Sequence, residues 1–188
     1  GGGYIAMEFA HVFDGLGTEV TVVNRSETLL RHLDDDLSSR FNQIARDRFD
    51  VRIANGTKLE ETDTGVRLEL DNGESVEAEA ILVATGRTPN GDQMDLDKAG
   101  IELLADARVS TDEFGRTTAE GVWALGDVSS PYMLKHVANA ETRAVQHNLL
   151  HPEDLRPLPH DNVPAAIFTH PQIATVGLTE KQARQKGF

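Results

Sequence analysis

The first six residues contain a glycine pattern that could bind a phosphate group. Gly1, Gly3 and Ala6 follow the spacing G-x-G-x-x-A, and an apolar helical pattern continues from Tyr4 and Ile5. In a dinucleotide-binding turn the first glycine permits a tight turn, the second lets a pyrophosphate approach the backbone, and the small third residue lets the helix pack on a sheet. The phosphates then lie at the helix N-terminus. A glycine-rich tag before a helix would give a similar pattern, so the motif alone leaves both interpretations open.

Residues about 20 positions further on indicate which dinucleotide would bind. An NAD-binding fold usually has Asp or Glu there, against the ribose 2′-hydroxyl, whereas this chain has Asn24, Arg25 and then Arg31. A neutral residue followed by two cations suits a 2′-phosphate, because each guanidinium offers a rigid fork of donors. The alternative is that both arginines are solvated surface residues. With the glycine pattern in place, we predict that they bind a 2′-phosphate and that the cofactor is NADPH rather than NADH.

These residues need an α/β framework to position them, and the hydrophobic pattern predicts one. Ile5, Phe9 and Val12 have helical spacing, and β-branched runs indicate short buried strands. The predicted helices are 4–16, 34–49 and 134–150, with a further helix starting at Thr179 in a capping box. The predicted strands are 19–23, 51–54, 65–70, 75–85 and 121–125, followed by strand-like AAIFTHP and ATVG. A turn at 71–73 joins two of the strands, and the proline-rich residues 152–164 are expected to be a linker.

Composition and charge exclude several other classes of function. The chain has 188 residues, 39% of them hydrophobic and 26% charged, which is typical of a soluble globular protein. No apolar run approaches the roughly 18 residues of a membrane span, and no signal peptide is recognisable. The net charge of -13 disfavours nucleic acid as a partner. With no cysteine there is no redox thiol, and we expect a cytoplasmic setting.

The histidines do not suggest a metal site. His147 and His151 have the i, i+4 spacing of some zinc ligands, but no glutamate-bearing motif or third ligand accompanies them. We therefore predict that both lie on the surface or in packing contacts, and that the chain holds no metal.

Three further stretches, together with GGGYIAME, carry a family resemblance. They are ILVATGRTPN at 81–90, TTAEGVWALGDVSSPYMLKHVANAETR at 117–143 and VPAAIFTHPQIATVGLTEKQA at 163–183. In this order they resemble the FAD-dependent pyridine nucleotide–disulfide oxidoreductases of class I, the class of glutathione reductase and dihydrolipoamide dehydrogenase. EFAHVF, LLRHLDDD and VQHNLL are most similar to the mycothione reductases of actinobacteria. The resemblance implies a cytoplasmic flavoprotein homodimer that serves cell redox homeostasis by reducing mycothiol disulfide, a low-molecular-weight substrate, with NADPH and FAD.

The resemblance also implies an organisation in three parts and an internal fragment of a longer enzyme. Residues 1–90 would form a Rossmann-like, three-layer NADPH-binding domain without its first strand. Residues 91–155 would contribute to the FAD site, and 156–188 would begin an α+β dimerisation domain. The redox-active cysteine pair and the His–Glu acid–base pair of the class would lie outside the chain, so we assign no catalytic residue within it.

Individual roles follow from the resemblance, one position at a time. Tyr4 corresponds to a tyrosine that covers the flavin, and Glu8 to a glutamate near the nicotinamide–flavin contact. Gly86 would approach the nicotinamide cofactor, and Arg87 would contact a cofactor phosphate. Asp127 would accept a hydrogen bond from a ribityl hydroxyl of FAD, the alternative being that it caps the following helix. The resemblance further implies contacts to the flavin, mostly through backbone N–H groups, from Met133, Leu134, Lys135 and His136.

Other functions remain open from the sequence. A different reductase of the same class is one alternative: glutathione reductase, dihydrolipoamide dehydrogenase or mercuric reductase. Dihydrolipoamide dehydrogenase typically has Glu where this chain has Asn24. A non-catalytic dinucleotide-binding module is the alternative from another class, although such a module has no need of a flavin segment.

Overall fold

The computed structural model describes residues 1–188, which divide into two units. Unit 1 contains Gly1–Gly86 and Pro164–Phe188, and unit 2 contains Arg87–Val163. The division into three functional domains stays a prediction. None of the four α-helices combines the length and the apolar composition needed to cross a bilayer.

Unit 1 begins with alternating helices and strands. Helix α1 (Tyr4–Gly15) leads to strand β1 (Thr21–Asn24), and helix α2 (Asp35–Arg48) leads to strand β2 (Asp50–Ile53). The two strands pair in parallel, with Val22 opposite Val51, and α2 is the crossover that a parallel pair requires. The predicted helices and strands of this region, and the α/β class, are confirmed.

Both ends of α2 follow from local sequence. Asp34 is its N-cap residue and accepts a hydrogen bond from the N–H of Asp36 at 3.2 Å. The first turn holds Asp35 and Asp36, and the last holds Arg46 and Arg48. This arrangement places negative charge at the positive end of the helix dipole and positive charge at the negative end.

An antiparallel sheet of three strands follows: β3 (Gly56–Thr62), β4 (Gly65–Leu70) and β5 (Ser75–Ala78). The predicted turn at 71–73 joins β4 to β5, and Gly73 there has a positive φ of 85°. Strand β3 was not predicted, because every one of its residues is exposed and it carries no apolar alternation.

The predicted strand 75–85 is wrong beyond Ala78. Residues 79–85 have no strand pairing, and Ile81, Leu82 and Val83 are 40%, 51% and 70% exposed. Their apolar, β-branched composition favours a buried strand, but a strand also needs a hydrogen-bonding partner, and no chain segment pairs with this one.

The core of unit 1 lies between the helices and the C-terminal segment. Met7 of α1 and Leu29 of the loop after β1 are fully buried. Ile167 and Ile173 join the same cluster from strands β6 (Ala165–Ile167) and β7 (Ile173–Thr175), which pair antiparallel. Helix α4 (Glu180–Gln185) follows, and its predicted capping box, formed by Thr179 and Gln182, is confirmed.

Unit 2 contains little regular structure apart from helix α3 (Lys135–Leu150). Short 3-10 helices occupy Asn90–Gln93, Leu96–Ala99 and Gly126–Val128. The predicted helix 134–150 is confirmed, whereas the predicted strand 121–125 is wrong. Gly121 has a φ of +76°, and only a single bridge between Arg116 and Trp123 forms there.

The predicted linker is tied to α3 by one buried side chain. Asn148 is 1% exposed, and its Oδ1 accepts a hydrogen bond from the N–H of Arg156 at 2.7 Å. Its Nδ2 donates to the carbonyl oxygens of Arg156 and Phe114 at 2.9 and 3.1 Å. Residues near Arg156 are therefore held against the helix although they form no helix or strand.

Candidate functional site

The three glycines of the turn in unit 1 differ in the space around them. A Cβ on Gly1 would lie 2.1 Å from the carbonyl oxygen of Ala84, and one on Gly2 would lie 2.7 Å from Nδ2 of Asn24. At Gly1 the contact is with backbone and at Gly2 it is with the buried side chain of Asn24, so a Cβ at either position would force a neighbouring group of the protein to shift. At Gly3 a Cβ would meet nothing within 4 Å, so the fold itself does not require glycine there. A ligand that approaches the backbone at this position would require it.

The N-terminus of α1 opens onto this turn. Gly3 is the N-cap residue and has no side chain with which to cap the helix, and the first turn contains no acidic residue. Ile5 is partly buried, and Ala6, which is 9% exposed, packs in the core together with Met7. A helix end with neither a capping side chain nor a nearby carboxylate is suited to an anion such as a phosphate.

The loop that carries the two predicted arginines is hydrogen-bonded to the glycine turn. The N–H of Leu30 donates to the carbonyl oxygen of Gly2 at 2.8 Å, and Leu30 has a positive φ of 52°. Asn24, at the end of β1, is buried, and its Nδ2 donates to the carbonyl oxygen of Ser26 at 2.6 Å. The side chain of Asn24 thus fixes the start of the loop by a hydrogen bond to the loop backbone.

Helix α2 fixes the same loop from the other side through two polar residues. Asn42 accepts from the N–H of Leu29 at 2.9 Å and donates to its carbonyl oxygen at 3.0 Å. The hydroxyl of Ser38, which is buried, donates to the carbonyl oxygen of Leu30 at 2.9 Å. Sequence reasoning missed both residues. A polar pair at i, i+4 beside the apolar face of α2 is the signal that could have identified them.

Arg25 and Arg31 are both exposed at the surface of this loop, and neither makes a hydrogen bond or an ion pair. Most other arginines are engaged, for example Arg52 with Asp50 and Arg116 with Asp112. Two unengaged guanidinium groups on an anchored loop could bind a phosphate without first breaking an internal salt bridge.

Tyr4 and Glu8 lie on the first turns of α1. Tyr4 is the first residue of the helix and is partly buried against the core of unit 1. Glu8 is half-buried, and its Oε1 accepts a hydrogen bond from the N–H of Phe168 at 2.9 Å. The Glu8 carboxylate therefore has a structural partner, while the roles implied by the resemblance stay predictions for both residues. Gly86 is exposed, has a φ of +144°, and would meet nothing within 4 Å if it carried a Cβ.

Unit 2 brings Arg87 and Asp127 together. The Nη2 of Arg87 lies 2.9 Å from the Oδ2 of Asp127, and both side chains are about half exposed. Asp127 belongs to the short 3-10 helix Gly126–Val128, and Gly126 has a φ of +70°. The alternative of a helix cap is not observed, because the N-cap residue of α3 is Leu134.

The predicted residues Met133, Leu134, Lys135 and His136 lie at the start of α3. Leu134 makes no side-chain cap, and the first turn of the helix contains no acidic residue. Lys135 donates from Nζ to Oδ1 of Asn139 at 2.7 Å. As at α1, the helix N-terminus carries no side-chain acceptor of its own.

A buried carboxylate that sequence reasoning missed lies under the Gly126 turn. Glu141 of α3 is 0% exposed, and its Oε2 accepts from the N–H of Gly126 at 2.7 Å. Its Oε1 lies 2.6 Å from Nε2 of His160. Burial disfavours the charged form, but hydrogen bonds from Ser130, His160 and Gly126 outweigh it, so the pKa of Glu141 lies below its usual value. The signal was present in the sequence, since Glu141 shares a helical stripe with Val137 and Val145.

Comparison with known proteins places this geometry in a family. The model of the pyridine nucleotide-disulphide oxidoreductases matches residues 1–144, and that of their dimerisation domain matches residues 163–188. Mycothione reductase of Mycobacterium tuberculosis (strain ATCC 25618 / H37Rv) is 53% identical over the whole chain, and glutathione reductase of Burkholderia cepacia is 36% identical over 99% of it. The chain spans 42% of the length of each of these two relatives.

A solved structure agrees with the family match. The HOCl-induced flavoprotein disulfide reductase RclA of Escherichia coli superposes with a TM-score of 0.89 at 30% identity. The superposition covers 100% of this chain and 43% of that one. The chain belongs to the pyridine nucleotide-disulphide oxidoreductase family.

Proposed function

We propose that this chain is the central part of an NADPH- and FAD-dependent disulfide reductase that reduces mycothiol disulfide. The 53% identity to a mycothione reductase over the whole chain carries the choice of substrate. The unengaged pair Arg25 and Arg31 supports the choice of NADPH over NADH. As an enzyme that keeps a thiol pool reduced, it would act in the cytoplasm.

The residues of unit 1 fit a dinucleotide phosphate. The space at Gly3 leaves the backbone accessible, and the N-terminus of α1 lacks an internal capping side chain. In this proposal the pyrophosphate binds along Gly1–Ala6, and the 2′-phosphate binds Arg25 and Arg31 through charge-assisted hydrogen bonds.

The residues of unit 2 fit the sugar alcohol of a flavin. Only Oδ2 of Asp127 is bonded to Arg87, which leaves Oδ1 to accept from a hydroxyl group. The N-terminus of α3, from Met133 to His136, would supply backbone N–H donors. The flavin, when bound, provides the two-electron chemistry between NADPH and a disulfide. This chain contributes binding, orientation and charge, with Tyr4 screening the nicotinamide position from water and Arg87 holding the Asp127 carboxylate in place.

We further propose that the enzyme is a homodimer, as the match of residues 163–188 to a dimerisation domain suggests. Closed two-fold dimers are the commonest symmetric assemblies of soluble proteins.

The test is a substrate comparison with the full-length, flavin-loaded protein. NADPH consumption is followed with mycothiol disulfide, glutathione disulfide, lipoamide and Hg(II) as separate acceptors, and NADH replaces NADPH in a parallel series. We expect the highest kcat/KM with NADPH and mycothiol disulfide. Faster turnover of another acceptor would assign the protein to a different reductase of the family. Tight NADPH binding without flavin and without turnover of any acceptor would favour a non-catalytic module.

A further inference from the structure

We propose that Glu141 is a positioning residue of the flavin site, which holds the Gly126–Val128 turn in the geometry that presents the Asp127 carboxylate. The inference rests on the proposed function, since it takes Asp127 to be the flavin-binding carboxylate.

The burial of Glu141 is the first argument. A fully buried carboxylate in the middle of a helix is costly unless its oxygens are satisfied. Here Oε2 accepts from the N–H of Gly126 at 2.7 Å and Oε1 is 2.6 Å from Nε2 of His160. Because the carboxylate is buried and both of its oxygens are bonded, it holds the Gly126 N–H and the His160 ring in fixed positions.

The conformation of Gly126 is the second argument. Its φ of +70° lies in the left-handed region, which favours glycine, so the backbone at the start of this short 3-10 helix departs from ordinary helix and strand geometry. Its carbonyl oxygen accepts from the N–H groups of Ser129 and Ser130 at 3.0 and 2.7 Å. Its own N–H has one acceptor, the Glu141 carboxylate. Loss of that acceptor would leave a buried donor unsatisfied directly before Asp127, and the turn would rearrange to reach another acceptor.

A third argument is that Glu141 connects the turn to a more distant segment. His160, the partner of Oε1, packs its ring edge-on against Tyr132 at a centroid distance of 5.3 Å. The hydroxyl of Tyr132 in turn donates to the carbonyl oxygen of His160 at 3.3 Å. The carboxylate is thus held through Oε1 as well as through its bond to Gly126, which restricts the positions that the turn can adopt.

The experiment is a double-mutant cycle in the full-length holoprotein. Glu141→Gln keeps the size of the side chain but replaces one of its two acceptor oxygens with a donor NH2, so the amide oxygen cannot accept from both Gly126 and His160. Asp127→Ala removes the presented carboxylate, and a third variant carries both. Glu120→Gln, an exposed glutamate of the same unit, is the control. The readout is the rate of FAD release, followed by flavin fluorescence. We expect about tenfold faster release for Glu141→Gln, more for Asp127→Ala, and no further increase in the double variant, because coupled residues are not additive.

The outcomes separate this inference from the proposed function. If Asp127→Ala keeps its flavin as the unmodified protein does, the assignment of the flavin site is wrong. If Asp127→Ala releases flavin but Glu141→Gln does not, or if the two effects simply add, Glu141 does not act through Asp127 and the inference fails. Should Glu141→Gln be insoluble, His160→Phe removes one donor from the carboxylate and enters the same cycle, with the same requirement of non-additivity.

Discussion

Replacement of Asn42 by alanine tests whether α2 positions the loop that carries Arg25 and Arg31, the proposed 2′-phosphate site. The side chain bonds both the N–H and the carbonyl oxygen of Leu29, at 2.9 and 3.0 Å, and Leu29 is fully buried. Each backbone group left without a partner costs about 1–3 kcal/mol. Because water can enter the vacated space, we expect a total loss of roughly 2–4 kcal/mol in the free energy of unfolding.

The same change should reduce cofactor discrimination, because the loop that carries Arg25 and Arg31 would lose its anchor to α2. In the full-length enzyme we expect the KM for NADPH to rise by about tenfold, equivalent to one weakened charged contact, while the KM for NADH changes little. Denaturant unfolding and steady-state kinetics with both cofactors measure the two effects. Gln43→Ala is the matched control, since Gln43 is the next residue of α2 and its side chain bonds only the exposed Arg40. An equal rise in KM for NADPH and NADH would refute the positioning of the arginines by Asn42. An unchanged free energy of unfolding would refute the estimated cost of the two lost hydrogen bonds.

Four further results are expected. Arg25→Ala or Arg31→Ala should weaken NADPH binding by roughly 10- to 150-fold and leave NADH binding nearly unchanged, as measured by titration. Gly3→Ala should keep the melting temperature but impair NADPH binding, whereas Gly1→Ala should lower the melting temperature, since its Cβ would meet the Ala84 carbonyl oxygen. Residues 1–188 expressed alone should bind a hydrophobic dye, because residues 81–83 are exposed, and a dye-free, sharply melting sample would contradict this. The lowered pKa of Glu141 means that its contribution to stability is complete above about pH 5 and is lost as the pH falls through that pKa, so the stability difference between the protein and Glu141→Gln should shrink in acid.

The sequence predicted those features that depend on near neighbours along the chain. Helix α1, the acidic start of α2 and the Thr179 capping box have local signals. The glycine and arginine spacing is a local signal of the same kind for the proposed nucleotide site. The part of the predicted strand 75–85 beyond Ala78 is not formed, because strand pairing depends on a distant backbone segment, which composition does not encode. Glu141 and Asn42 escaped notice because polar residues in a helix are usually solvated. Their importance arises only where the tertiary fold places a turn or loop against them.

The hydrogen bond between Leu30 and Gly2 has a consequence for protein engineering. Because it joins the loop to the glycine turn, a loop graft intended to convert the proposed cofactor preference would also disturb the turn. The left-handed backbone of Leu30, with a φ of +52°, sets the condition for a successful graft. A transplanted loop should retain that conformation, for which asparagine or glycine is better suited than a β-branched residue. Designs that exchange only the arginines, and leave this backbone link intact, should therefore fold more reliably than designs that exchange the whole loop.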